Sequence, residues 1–233
     1  REIVDATASF VSAYKPQAAH FAAAGAEDQL AQLITYIHTN YPDIPVILDA
    51  KRGDVGSTAA LYAKEAFERY GADAVTVNPY LGYDSLAPYF EYQDRGVIVL
   101  CRTSNPGSDW IQGVMVDAEP LYLSVARRVD NWDQNNQCML VTGATYPEEL
   151  GRVRSAVGDM PLLVPGVGAQ GGDIQAVVKA GLDTGSQGLC ISSSRGIIYA
   201  GDGVDYADRA AEAALELRDA INSVRSFLSN SEG

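Results

Sequence analysis

The sequence predicts an α/β protein, and more narrowly a (β/α)8 TIM barrel. Short apolar segments alternate with longer segments of helical periodicity seven times along the 233 residues. This alternation is typical of a parallel sheet covered by helices, whose strands are buried on both faces. In addition, polar residues recur at the C-terminal ends of the predicted strands, where barrels of this class carry their active sites.

Each predicted strand is a short apolar run bounded by turn residues. The strands lie at residues 9–15, 46–49, 74–79, 96–101, 138–142, 162–165 and 188–191. Apolar residues recur at helical spacing in the segments between them. These predicted helices lie at residues 1–8, 18–38, 59–70, 83–92, 119–132, 147–157, 173–180 and 210–228. The polar tail at 226–233 is expected to fray.

Seven strands do not close a barrel, which needs eight. Residues 1–8 have the pattern of the end of a helix, so we expect the first strand to lie upstream and to be absent from this chain. An open, doubly wound sheet is the alternative. No linker and no change of composition divides the chain, so residues 1–233 are predicted to form a single domain.

Composition excludes several classes of partner. The net charge of −13 argues against nucleic acid and anionic membranes, and no apolar run approaches the length of a membrane span. The three cysteines, at 101, 138 and 190, fit no zinc pattern and are expected to be buried, reduced thiols of a cytoplasmic protein. With only two histidines, a multi-histidine metal site is not expected.

The main candidate site is the stretch 46–58, where an apolar run turns abruptly into charge. If residues 46–51 form a strand, Asp49 and Lys51 lie on the same face and stabilise each other's ionised forms. Asp54 follows on the next turn, and Thr58 begins a helix. The alternative is a solvated strand end, although the preceding residues are too apolar for an exposed edge.

Lys15 and Ser104 stand at the ends of two further predicted strands. In a barrel, Lys15 would point at the charges of the Asp49 strand, whereas on a sheet edge it would be merely solvated. Ser104 offers hydrogen bonds to a polar ring, or it caps the turn before Pro106.

A phosphate site is predicted after the last two strands. Residues 165–172 contain closely spaced glycines that let backbone N–H groups approach an anion at a helix N-terminus. Arg195, in the next such loop, would add a charge-assisted contact. The alternatives are a structural turn for the glycines and a surface ion pair for Arg195.

Several blocks together resemble the orotidine 5′-phosphate decarboxylase family, in its longer bacterial-type group. The blocks are Asp49-Ala-Lys51-Arg-Gly-Asp54, Ala13-Tyr-Lys15-Pro-Gln17, Cys101-Arg-Thr-Ser104-Asn-Pro106-Gly107, Val141-Thr-Gly-Ala-Thr-Tyr-Pro147, the loop 165–172 and Ser193-Ser-Arg195. The resemblance covers nearly the whole chain. D-x-K-x-x-D alone is shared with other phosphosugar barrels, so the combination carries the specificity.

The resemblance implies a homodimeric carboxy-lyase that converts orotidine 5′-phosphate to UMP in pyrimidine biosynthesis without a cofactor or metal. The implied catalytic residues are Lys15, Asp49, Lys51 and Asp54. Lys51 would protonate the C6 carbanion, and Asp49 would lie near the substrate carboxylate. Asp54 and Thr58 would enter from the partner subunit. The implied substrate-binding residues are Thr58, Ser104, Pro165, Gln170, Gly171, Ser194 and Arg195, of which Gln170 and Arg195 would hold the phosphate.

Three other functions stay open on the sequence. A magnesium-dependent phosphosugar decarboxylase or aldolase shares D-x-K-x-x-D, although the Lys15-Pro and Ser104-Asn-Pro blocks count against it. A nucleotide-binding regulatory module without catalysis is a second, and the retained charged positions argue against it. A dehydrogenase is a third, suggested only by G-x-G-x-x-G at residues 166–171.

Overall fold

The computed structural model describes residues 1–167 and 173–231. The strands are β1 (Ile47–Arg52), β2 (Ala74–Val77), β3 (Gly96–Arg102), β4 (Met115–Val116), β5 (Glu119–Pro120), β6 (Cys138–Thr142), β7 (Leu162–Pro165) and β8 (Leu189–Ser192). The helices are α1 (Glu2–Thr7), α2 (Ala18–Ala23), α3 (Glu27–Asn40), α4 (Gly56–Lys64), α5 (Ala87–Phe90), α6 (Asp109–Gln112), α7 (Leu121–Trp132), α8 (Pro147–Val157), α9 (Ile174–Gly181), α10 (Arg195–Ile198) and α11 (Tyr206–Ser231). A π-helical turn, Glu65–Arg69, extends α4.

The strands form a parallel sheet in the order β1-β2-β3-β6-β7-β8, with helical segments between successive strands, and β4 pairs with β5 in a separate antiparallel ribbon. Val75 lies opposite Val97, and Leu163 lies opposite Cys190. The strand residues are largely buried, as expected for a sheet covered on both faces. The predicted α/β class with a parallel sheet is confirmed.

The described chain has two compact units. The first comprises Arg1, Ser12–Leu100 and Asn131–Met139. Its strands bury consecutive residues, Val75, Thr76 and Val77 of β2 and Val97, Ile98 and Val99 of β3. Helix α3 buries one stripe at helical spacing, Leu30, Ile34 and Ile37.

The second unit comprises Glu2–Val11, Cys101–Asp130 and Leu140–Gly233. Helices α8 and α9 pack together there, and α11 packs on α1 and α9. The buried Arg154 guanidinium donates to the carbonyl oxygens of Gly158, Met160, Gly181 and Gly188. It therefore fixes the ends of α8 and α9 to the residue that precedes β8.

The predicted strand 9–15 is wrong. Ala8–Phe10 forms a 3₁₀ turn, and the segment touches β1 only through isolated parallel bridges, Tyr14 to Val46 and Gln17 to Asp49. The Tyr14 N–H donates to Pro45 and its carbonyl accepts from Ile47, which begins a parallel ladder. Pro16 interrupts that ladder because it has no N–H to donate.

The predicted helix 18–38 is two helices, α2 and α3. They are separated at Gly25, whose φ of 61° lies in the left-handed region that ends helices. Helix α3 also continues past the predicted end, to Asn40.

Candidate functional site

Asp49 is the centre of a charged cluster in the first unit. Its Oδ2 accepts a hydrogen bond from Lys15 Nζ at 2.6 Å, and its Oδ1 accepts one from Lys51 Nζ at 2.5 Å. The residue is only 7% exposed, whereas the Lys51 side chain is 44% exposed. The predicted contacts of Lys15 and Lys51 with Asp49 are confirmed. The three charges alternate in sign, from ammonium to carboxylate to ammonium.

Burial alone would raise the pKa of Asp49, because a charge is less stable away from water. The charges and hydrogen bonds of Lys15 and Lys51 outweigh that effect, so the pKa lies below its ordinary value. Asp49 is therefore ionised at neutral pH and fixes the positions of both ammonium groups.

Strand β1 reaches this geometry through an irregularity. Leu48 pairs with Val75, but the next pair along is Arg52 with Val77, so β1 carries extra residues in between. Lys51 lies in this bulge with φ of 50°. A left-handed conformation costs an L-residue roughly 1–2 kcal/mol, and the surrounding contacts must offset that cost.

Thr76 is the neighbour that the bulge contacts. Its Oγ1 accepts from the backbone N–H groups of Ala50 and Lys51, both at 2.9 Å, and donates to Asp49 Oδ1 at 3.0 Å. Thr76 is not among the site residues predicted from the sequence. The available signal was a threonine in the apolar strand run Val75-Thr76-Val77, where a buried hydroxyl needs a partner.

Asp54 and Thr58 lie in the same unit but do not join the cluster. Asp54 is half-buried, and its Oδ1 accepts from the Val55 N–H at 2.8 Å. Thr58 is exposed in the first turn of α4. Among the residues that the structure describes, no hydrogen bond or ion pair connects either side chain to Lys15, Asp49 or Lys51.

Ser104 lies in the second unit, in the loop after β3. It is half-buried against Gly143, where an added Cβ would come within 2.8 Å of the Ser104 backbone nitrogen. Arg102, the last residue of β3, is 1% exposed and anchors this loop. Its guanidinium donates to Ser108 Oγ and Asp109 Oδ1, both at 2.7 Å.

Arg102 also binds Glu149 of α8, and its guanidinium lies 4.6 Å from the centroid of the Tyr146 ring. The buried arginine therefore joins the loop 103–112 to the start of α8. Arg102 lies within one of the motifs given above, but no role was predicted for it from the sequence.

The predicted phosphate loop is described only in part. Pro165 ends β7 and is half-buried. Gln170 and Gly171 lie outside the described residues. Helix α9, which follows, is capped by Asp173, whose side chain accepts from the Gln175 and Ala176 N–H groups. Those two N–H groups are therefore not available to bind a phosphate.

Ser194 and Arg195 are both exposed, at the start of α10. The Ser194 carbonyl accepts from the N–H groups of Ile197 and Ile198. In the described part of the chain no carboxylate pairs with Arg195, which speaks against the surface ion pair considered above. An exposed guanidinium of this kind can bind an anion.

No set of three or more histidine, cysteine, aspartate or glutamate side chains within residues 1–167 and 173–231 is arranged to hold a metal ion. Both carboxylate oxygens of Asp49 are engaged by ammonium groups. Over the same residues, no helix has the length and apolar character needed to cross a membrane.

Known proteins resemble this chain over nearly its whole length. Residues 1–210 match the model of the orotidine 5′-phosphate decarboxylase / HUMPS family. The orotidine 5′-phosphate decarboxylase of Janthinobacterium sp. (strain Marseille) is 60% identical over 223 residues, which are 95% of this chain and 82% of that protein. The Bordetella avium (strain 197N) protein of the same name is 61% identical, over 97% of this chain and 84% of its own.

Solved structures give the same result. The Leishmania donovani OMP decarboxylase superposes with a TM-score of 0.87 at 42% identity, over 96% of this chain and 85% of that one. The Leishmania donovani UMP synthase gives 0.89 at 43% identity, over 96% of this chain but 48% of its own. The chain therefore belongs to the orotidine 5′-phosphate decarboxylase / HUMPS family.

Proposed function

We propose that the protein decarboxylates orotidine 5′-phosphate to UMP and CO2, as a carboxy-lyase of pyrimidine biosynthesis. The single observation that carries this proposal is the cluster of Lys15, Asp49 and Lys51. It presents a fixed, ionised carboxylate between two ammonium groups, one of them partly exposed. The similarity to proteins named orotidine 5′-phosphate decarboxylase, at about 60% identity, supports the choice of substrate.

The chemistry follows from where charge develops. The bond between C6 and the substrate carboxylate breaks, CO2 leaves, and the electron pair stays on C6. Lys51 then donates a proton from Nζ to C6 and regains one from water. Because Asp49 already holds Lys51 in position, the positive charge needs little reorganisation as the carbanion forms, which is the basis of electrostatic preorganisation.

The remaining predicted residues receive substrate-binding roles within the proposal. Ser104 contacts the pyrimidine and Pro165 packs against it. Gln170, Gly171, Ser194 and Arg195 hold the phosphate, for which the exposed guanidinium of Arg195 is suited, since no carboxylate of the described residues pairs with it. Binding energy at this non-reacting group can then lower the barrier at the ring.

The proposal includes a homodimer in which Asp54 and Thr58 act in the partner's site. Two features of the first unit support it. Asp54 does not contact the cluster of its own chain, and large apolar side chains near α4 are exposed, with Val55 at 52% and Leu61 at 64%. Exposed apolar groups of this size are typical of protein–protein contacts.

We further infer that the parallel sheet belongs to an eight-stranded barrel. The TM-scores above support this inference. A cytoplasmic location is proposed because all three cysteines are present as thiols. Cys101 and Cys138 are buried as expected, whereas Cys190 is only half-buried.

The test is direct. Decarboxylation removes the carboxylate conjugated with the orotate ring, so the ultraviolet absorbance of orotidine 5′-phosphate should fall when the purified protein is added. We expect the same rate with excess EDTA present. No turnover by a folded protein would contradict the proposed function.

The magnesium-dependent phosphosugar reaction is the second candidate, because phosphosugar barrels share the D-x-K-x-x-D motif found at residues 49–54. Such a reaction stabilises an enediolate with a metal ion, for which D-x-K-x-x-D would have to supply carboxylate ligands. The engagement of Asp49 by two lysines disfavours it. Turnover of a phosphosugar that EDTA abolishes and Mg²⁺ restores would establish this alternative instead.

A further inference from the structure

Every hydrogen-bonding position of the Thr76 hydroxyl is occupied by a protein group. The residue is 1% exposed, in the middle of β2. A hydroxyl has one donor and two acceptor positions. Both acceptor positions are used by the N–H groups of Ala50 and Lys51, so its single hydrogen is left for Asp49 Oδ1. All of its hydrogen-bonding capacity is therefore directed at one neighbour, the bulge of β1.

These hydrogen bonds fix both Lys51 and Asp49. The two N–H bonds fix the backbone of Lys51 in its left-handed conformation, which directs the side chain toward Asp49 Oδ1. The hydroxyl hydrogen binds the same Oδ1 and prevents the carboxylate from rotating. In a regular parallel ladder, successive N–H groups of β1 would point to opposite sides of the strand. The N–H groups of Ala50 and Lys51 both reach Thr76 Oγ1 because the bulge interrupts that alternation.

We propose that Thr76 is a positioning residue for the proposed decarboxylation, holding the Asp49 carboxylate and the Lys51 ammonium in their reactive geometry from the neighbouring strand. It acts through those two residues and does not contact the substrate. This inference rests on the proposed function for its kinetic effect, but its effect on Asp49 is measurable without turnover.

The kinetic test compares isosteric variants. Thr76→Val keeps the shape and removes the hydroxyl. We expect kcat to fall about 10- to 100-fold, since small displacements of reacting groups are that costly, with KM changed less than about threefold. Thr76→Ser restores the hydroxyl, and its kcat should return to within about threefold of the wild type.

Thr142→Val is the matched control. Thr142 is also a fully buried strand threonine, but its Oγ1 has no hydrogen-bond partner among the described residues. Removing that hydroxyl should therefore leave kcat unchanged. If Thr76→Val does not fold, Thr76→Ala replaces it, because the smaller side chain leaves room for a water molecule to accept from the two N–H groups.

The second readout is the titration of the Asp49 carboxyl, followed by ¹³C NMR in selectively labelled protein. A donor to the carboxylate favours its ionised form, so losing Thr76 Oγ1 should raise the pKa of Asp49. We expect a higher pKa in Thr76→Val than in the wild type, Thr76→Ser or Thr142→Val. A purely structural role would lower stability without this shift.

The inference is overturned if the Asp49 titration is the same in wild type and Thr76→Val. It is also overturned if the folded Thr76→Val variant keeps kcat within about twofold of an active wild type. A fall in kcat of Thr142→Val as large as that of Thr76→Val would overturn it as well. If the wild type shows no turnover at all, the proposed function fails, and the titration alone decides whether Thr76 positions Asp49.

Discussion

At the scale of single residues, the cluster is defined by unequal burial. Asp49 is nearly inaccessible, Lys15 is 17% exposed at its side chain, and Lys51 is 44% exposed. A buried carboxylate is stable only when it is paired, which makes it a rigid anchor. The partly exposed Lys51 is the member that can reach a substrate, so we assign it the proton transfer.

Replacing Lys51 should remove chemistry without removing binding. We expect Lys51→Ala to lower kcat at least about 10³-fold, because a general acid typically contributes 10²–10⁴-fold, while UMP still binds in a calorimetric titration. Lys64→Ala is the control, since the Lys64 side chain is 63% exposed and its one ion pair within the described residues is with Glu68, at 3.7 Å. Near-normal turnover by Lys51→Ala would refute the assignment of Lys51 as the proton donor.

At the scale of elements, the loop after β3 carries the candidate binding residue Ser104 and is anchored by a buried arginine. Arg102 anchors the loop 103–112, and Gly143 leaves space for the backbone of Ser104. The loop can therefore approach β6 closely only because position 143 has no side chain. A rigid loop limits the entropy lost when a ligand binds.

This close approach predicts the effect of Gly143→Ala. The added Cβ would lie 2.8 Å from the Ser104 nitrogen, which is closer than real Cβ atoms come, so the loop must move. We expect KM for orotidine 5′-phosphate to rise about tenfold, the equivalent of about 1.4 kcal/mol of lost binding. Steady-state kinetics on the folded variant measure it.

Gly151→Ala is the control for that experiment. Gly151 lies inside α8, and the nearest atoms to an added Cβ are at 3.7 and 3.8 Å, an ordinary contact. Alanine is also the better helix residue, so this variant should keep its KM and gain stability. An unchanged KM in Gly143→Ala would show that Ser104 does not contribute to substrate binding.

At the scale of the whole molecule, the central question is which subunit Asp54 serves. In this chain Asp54 accepts only from the neighbouring Val55 N–H among the described residues, although it lies three positions from Lys51. The exposed side chains of Val55 and Leu61 follow Asp54 along the chain. These features favour an isologous dimer in which each subunit supplies Asp54 to the other.

Hybrid dimers test this arrangement. Lys51→Ala and Asp54→Ala subunits, each inactive alone, are unfolded together, refolded at equal concentration and assayed. If Asp54 serves the partner, half of the sites in each hybrid carry no substitution, and about a quarter of wild-type activity should return. If Asp54 serves its own subunit, every site carries a defect and no activity returns. A protein that sediments as a monomer and is fully active would also refute an active site completed by Asp54 of the partner.

Much of the fold followed from periodicity. The alternation of strands and helices predicted the α/β class with a parallel sheet, and most predicted strands lie within a few residues of the observed ones. The predicted strand at 9–15 was wrong. Pro16 already argued against it, because proline has no N–H with which to continue a ladder. The helix at 18–38 was interrupted by Gly25, a residue that commonly ends helices.

The sequence by itself determined that charged residues follow buried strands and that the chain resembles one family, because both depend on local order along the chain. Only the tertiary structure decided how the charges meet. Lys15 and Asp49 are 34 positions apart, and Asp49 contacts Lys51 through a bulge with a left-handed residue rather than by simple strand alternation. Thr76 joins them from the next strand. Such contacts depend on the register between strands, which a bulge shifts and which the hydrophobic pattern of one strand does not encode.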